Sequence, residues 1–176
     1  KNGSGIIPRR IARKVRGHVL FVPEDPIEEI AEIVVPIDFS QSSAAALNTA
    51  LSFQSSSSLP IKITAIHVVQ LLPTDYYFGL EYNKVYREGV IQQSKEAFTH
   101  FLEKQQIPLD KITQEVIVND SQNTALQLKD YLHESAPDLV IMGAIGHTIW
   151  ESVVFGSVTE RLVEIIDDCP ILIVRW

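Results

Sequence analysis

Five short aliphatic, β-branched runs alternate with stretches of helical spacing, and that alternation constrains the chain more than any other feature. AEIVVPID (31–38) reads as a strand buried on both faces. SQSSAAALNTALSFQ (40–54) opens on serines suited to an N-cap and sets Ala44, Leu47, Ala50 and Leu51 on one helical face. IKITAIHVV (61–69) is the second strand, followed by an aromatic-rich loop and a helix around 85–105 with Val90, Ala97, Phe98, Phe101 and Leu102 inward. KITQEVIVND (111–120), PDLVIMG (137–143) and PILIVRW (170–176) supply three more strands, and 123–135 and 157–166 two more helices. Strands alternating with helices require βαβ crossovers and therefore a parallel sheet covered on both faces. The expectation is an α/β fold, a doubly wound parallel five-stranded sheet.

Composition narrows the function class. With 176 residues, 45% apolar and 21% charged, the chain suits one globular domain with a little to spare. The net charge of −7 argues against nucleic acid as partner. The apolar runs are strand-sized, which predicts no membrane span, and the single Cys169 fits a reducing, cytoplasmic setting. Lys1, Arg9, Arg10, Arg13, Lys14 and Arg16 make residues 1–18 basic, as either a solvated helix face or a patch for phosphate, membrane or partner. The chain opens on Lys1 rather than Met, as a fragment or processed chain would.

In doubly wound sheets ligands bind beyond the carboxyl ends of the strands, where strand order reverses. Here that rule selects PIDFS after the first strand and MGAIG after the fourth. Three of the eight glycines, Gly143, Gly146 and Gly156, lie between 142 and 160. Without Cβ, Gly143 and Gly146 are free to take positive φ and let a phosphate or ribose approach the main chain. Gly156-Ser157 opens a helix whose free N–H groups suit an anion. Ser157 and Glu160 equally spell S-x-x-E, a capping box that needs no ligand. No Gly-Lys-Ser/Thr follows the glycines, and no G-x-G-x-x-G follows the first strand, so neither a Walker A loop nor a Rossmann fingerprint is present.

Gly143, two residues, Gly146, nine residues, then Gly156-Ser157 resembles the G-x2-G-x9-G-(S/T) pattern of nucleotide-binding members of the universal stress protein family. VVPIDFS and HVV resemble further family elements, and the likeness runs from about residue 31 to 176. It implies a three-layer, adenine nucleotide alpha hydrolase-like fold and binding of ATP, with Mg2+ riding on the phosphates. Carried across, Pro36, Ile37 and Asp38 would line the adenine and ribose side, and Val68 would hold the adenine through its backbone. Met142 and Gly143 would lie along the nucleotide, Gly146 would approach the phosphates, and Gly156, Ser157, Val158 and Thr159 would cradle them.

No acid–base constellation accompanies this pattern. The five histidines are scattered; His67 reads as a packed or hydrogen-bonded core residue and His147 as an exposed loop residue. The expectation is a regulatory binding module with slow hydrolysis at most. The alternative is an interaction scaffold with a vestigial or different pocket, which Ile145 in the glycine loop and the aromatics of 76–86 would favour. Finally, residues 3–24 echo 156–176: a Gly-Ser, a helix-like stretch, then VLFV against ILIV. Residues 1–23 therefore read as the end of a preceding copy, 24–30 as a linker and 31–176 as the domain. Strand 18–22 should pair antiparallel with 171–175, as an intramolecular pseudo-dimer, unless a homodimer fills that edge.

Overall fold

The computed structural model describes residues 14–24, 29–71, 75–119, 123–144 and 156–175, with side chains of the 75–104 helix described from residue 84 onward. Gly146, Ile145, His147 and the helix-like stretch at 3–13 lie outside the described residues. In chain order the elements are β1 (Val19–Phe21), β2 (Glu32–Pro36), α1 (Gln41–Ser56), β3 (Lys62–Gln70) and α2 (Asp75–Lys104). A short 3-10 turn precedes β4 (Thr113–Asn119), and α3 (Thr124–Ser135), β5 (Leu139–Gly143), α4 (Ser157–Ile165) and β6 (Ile171–Val174) complete the chain. They build one six-stranded sheet in the order β1-β6-β5-β2-β3-β4. The five strands β2 to β6 are parallel throughout, and β1 is antiparallel to β6.

Each face of the sheet carries its own core, as two-sided covering requires. On one face Ala44, Leu47 and Ala50 of α1 and Phe98, Phe101 and Leu102 of α2 meet Ile33, Val35, Ile63 and Ile141. On the other, Leu128 and Leu132 of α3 and Leu162 and Val163 of α4 meet Val34, Ile66, Val140 and Ile173. The alternation along β2 explains this: Ile33 and Val35 face one way and Val34 the other.

Helix α2 departs from expectation, beginning at Asp75 rather than near residue 85. The last strong breaker is Pro73, and the Tyr and Phe residues after it disfavour helix by no more than about 0.7 kcal/mol each. Of the residues expected inward, Phe98, Phe101 and Leu102 are buried, Val90 is half-buried and Ala97 is exposed. Over its described side chains the helix thus buries a stripe narrower than the sequence implied. At the far edge, β1 pairs with β6 as expected, with Val19 opposite Ile173, Leu20 opposite Leu172 and Phe21 opposite Ile171.

Candidate functional site

Strand order reverses between β2, which the chain leaves towards β3, and β5, to which it later returns on the opposite side. A pocket of about 390 Å³ opens there, beyond the carboxyl ends of β2, β3 and β5. Ten of the eleven residues singled out in the sequence line it: Pro36, Ile37, Asp38, Val68, Met142, Gly143, Gly156, Ser157, Val158 and Thr159. The eleventh, Gly146, lies outside the described residues.

The β2 end is braced locally. Asp38 Oδ1 accepts from the Ser40 amide at 3.1 Å and the Ser40 hydroxyl at 2.6 Å. Ser40 Oγ accepts from the Ser43 amide at 3.1 Å, which makes Ser40 the side-chain cap of α1. Between them Phe39 sits at φ 64, a conformation costing a non-glycine about 1–2 kcal/mol. Aromatic contact holds it there: its ring lies 4.3 Å from the His67 imidazole, 5.7 Å from Phe98 and 5.6 Å from Phe101.

His67 is the hydrogen-bonded, partly buried residue that its place in a strand predicted, and it also lines the pocket. Its Nδ1 lies 2.7 Å from the Ile37 carbonyl, which can only accept, so Nδ1 carries the proton of the neutral ring. Burial holds the imidazole below its usual 6.5, against smaller upward pulls from that hydrogen bond and from the Asp38 carboxylate.

Val68 offers its backbone. The β2–β3 ladder ends with Pro36 opposite Ile66 and the Ile37 amide donating to the Ile66 carbonyl at 2.7 Å. Alternate residues of a central parallel strand address opposite neighbours, so Val68 turns its amide and carbonyl to the same side as Ile66. Strand β2 has already turned away at that level.

The glycines serve differently from expectation. Gly143 does not adopt positive φ, and a Cβ there would stand 2.3 Å from Ser42 Oγ and 2.7 Å from the Ser42 carbonyl carbon. Its bareness admits helix α1 against β5. Gly156, with φ −59 and ψ 153, is the N-cap of α4, and no side-chain cap hydrogen bond forms there among the described residues. Ser157 is the first helical residue, so S-x-x-E falls one position late and no capping box forms. Two of the donors expected to cradle phosphate are already committed to the last residue of β5 and the residue after it. The Gly156 amide donates to the Ala144 carbonyl at 2.8 Å, and the Thr159 hydroxyl to the Gly143 carbonyl at 3.0 Å. The amides of Ser157, Val158 and Thr159 are first-turn groups, which an α-helix leaves without intrahelical acceptors.

Ser40, Ser43, Ile66, Thr124 and Leu128 join the lining without having been singled out. Two signals pointed to them: Ile66 shares a strand face with Val68, and Thr124 and Leu128 are one helical turn apart. Ile66, Val68, Leu128, Met142 and Val158 make the interior apolar, and Asp38 is its one carboxylate among the described lining residues. No group of three or more His, Cys, Asp or Glu among the described residues is placed to hold a metal ion. Cys169 lies elsewhere, its thiol pushed up to about 12 by burial and the nearby Asp168 and donating to the Pro137 carbonyl. No helix among the described residues is long and apolar enough to cross a membrane.

Comparison with solved structures places this architecture among known ones. The universal stress protein UspA from Lactobacillus plantarum is 21% identical, with a TM-score of 0.61 over 84% of this chain and 99% of its own. A universal stress family protein from Burkholderia pseudomallei is 20% identical, with a TM-score of 0.52 over 85% of this chain and 98% of its own. A universal stress protein from Archaeoglobus fulgidus, 16% identical with a TM-score of 0.59, covers 96% of this chain with 53% of its own. At these identities the likeness establishes the fold. No curated protein matches the sequence. The model of the universal stress protein family matches residues 29–175, and the chain belongs to that family.

Proposed function

We propose that this chain is an adenine-nucleotide-binding regulatory module of the stress response that binds ATP in the pocket at the switch point and works in the cytoplasm. The observation that carries the reading is convergence. Three strand ends and the uncapped start of α4 meet in one pocket, whose volume of about 390 Å³ lies within the range of roughly 300–1,000 Å³ for small-molecule sites. The apolar walls suit a base, with Val68 offering it a main-chain donor and acceptor. Asp38 with Pro36 and Ile37 suits the ribose side, and Met142 and Gly143 the length of the nucleotide. The first-turn amides of α4 suit phosphate, with Gly146 as a further approach. The single described carboxylate does not fit a protein-held metal, so Mg2+ enters this reading on the phosphates alone. The role is binding rather than turnover, with slow hydrolysis at most: His67 and Asp38 are the one imidazole and the one carboxylate in the described lining. Residues 1–23 are read as the end of a preceding copy, 24–30 as a linker and 31–176 as the nucleotide domain.

Ser157→Pro tests the phosphate assignment. Proline is tolerated at the first helical position, and the ψ of 153 at Gly156 is what a residue before proline prefers. The change removes one amide donor without removing a helical hydrogen bond. Calorimetric titration should show ATP with magnesium binding about tenfold more weakly, a loss of roughly 1.4 kcal/mol, with adenosine unaffected. Unchanged ATP affinity would remove phosphate from α4. No ATP binding by the folded wild type would sink the nucleotide reading and favour an interaction scaffold.

A further inference from the structure

A second concavity, of about 720 Å³, lies at the opposite end of the sheet from the pocket at the switch point. Glu29, Ile30, Phe53, Ser56, Leu59 and Ile61 are among the residues that line it. Glu29 and Ile30 lead into β2, Leu59 and Ile61 lead into β3, and Phe53 and Ser56 belong to the last turn of α1. The floor is fixed. Ile61 is buried, Ile30 packs against the same core, and the Gln54 side-chain amide donates to the Ile61 carbonyl at 2.7 Å. The walls are not core: Phe53 is 39% and Leu59 48% exposed. A ligand that covers two such apolar side chains is favoured by their removal from water.

The electrostatics of this concavity have one sign. Glu29 is its one charged lining residue among those described, and it is exposed. An α-helix leaves its last carbonyls without intrahelical donors and carries partial negative charge there. At α1 the Ser57 amide takes the Phe53 carbonyl, and the last turn holds no basic side chain to complement the rest. Lys62, which follows the lining Ile61, is committed to Glu32 at 2.7 Å. An exposed aromatic ring such as Phe53 adds attraction for a cation. We propose that this concavity is a binding site for a small primary ammonium ion with an apolar body. The ammonium donates to the terminal carbonyls of α1 and pairs with the Glu29 carboxylate, while the body covers Phe53 and Leu59. A primary head suits the site better than a quaternary one, because open carbonyls reward N–H donors. This inference stands apart from the nucleotide reading: the two sites share no lining residue among those described.

The test uses the whole chain and two probes that share one body, phenethylammonium and the uncharged phenethyl alcohol. In amide NMR titrations at low ionic strength the ammonium should bind about tenfold more tightly than the alcohol. That is the combined reach of one exposed ion pair, a helix terminus and a cation–aromatic contact. The shifted amides should centre on residues 49–61. Glu29→Gln keeps the shape and removes the charge, so it should weaken the ammonium about threefold and leave the alcohol unchanged. Ser56→Lys supplies an ammonium of the protein's own to the last turn of α1. It should abolish binding of the probe and raise Tm by about 1–3 °C, which also shows that the variant folds. Equal affinity for the two probes would overturn the proposal, as would shifts confined to the pocket at the switch point. So would a folded Ser56→Lys that binds the ammonium like the wild type, or a folded wild type that binds neither probe.

Discussion

Helices α1 and α4 both aim their N-termini at the same pocket, and they differ in what completes their first turns. At α1 the protein does it: Ser40 Oγ accepts from the Ser43 amide, and Asp38 braces Ser40 in turn. At α4 a glycine stands at the cap and brings no side chain of its own to the first-turn amides. One helix end is capped by a side chain of its own N-cap residue, and the other begins on a residue that has none. The two glycines nearest these helices divide in the same way. Gly143 admits the close approach of α1, whereas Gly156 places no side chain at the start of α4.

The largest expected effect breaks the α1 side. Gly143→Val drives side-chain atoms into the Ser42 backbone and should cost about 3 kcal/mol, the upper part of the overpacking range, lowering Tm by roughly 6–12 °C. Calorimetric melting checks it, and an unchanged Tm would mean α1 is not seated as described. The next effect sharpens the α4 side. Ser157→Pro should leave Tm unchanged while weakening ATP about tenfold, and a large Tm loss would show that the Ser157 amide serves the protein rather than a ligand. Ser40→Ala removes the α1 cap and should cost about 1 kcal/mol in denaturant unfolding. A matching substitution of Ser157 by alanine, which caps nothing, should fall within about 0.5 kcal/mol of wild type.

The smallest effect concerns pH. Burial holds the folded-state pKa of His67 below 6.5, so below that pH the unfolded chain binds a proton that the folded chain resists. The stability His67 contributes is complete above 6.5 and is lost as pH falls from there through the folded-state value. Urea unfolding at pH 7.5 and 5.5 should show a steeper loss for the wild type than for His67→Gln. Equal losses would mean that the ring is not held neutral beside Asp38 and Phe39.

Much of this molecule was legible in the sequence because its signals are local. The strand–helix alternation set the fold class, and the serines at 40–43 marked the cap of α1. The proline-aspartate end of β2 and the glycine spacing after β5 pointed to the pocket. Each of these is a pattern within a few residues, governed by backbone conformation and side-chain period. Local pattern also misled where two readings share it. S-x-x-E looked like a cap at Ser157, and the aromatic run after Pro73 looked like a loop, although helix continues through it.

Tertiary structure decided whatever depends on segments far apart in the chain meeting across the sheet. It gave Gly143 to α1 packing, because Ser42 arrives from about a hundred residues earlier. It brought Thr124 and Leu128 into a pocket shared with Asp38, and it committed the Thr159 hydroxyl to the Gly143 carbonyl. The sequence echo anticipated that β1 and β6 would pair, but only the folded sheet selected the register that sets Leu20 opposite Leu172. Periodicity specifies which face of an element is apolar; which residue of another element lies against it depends on how the layers pack.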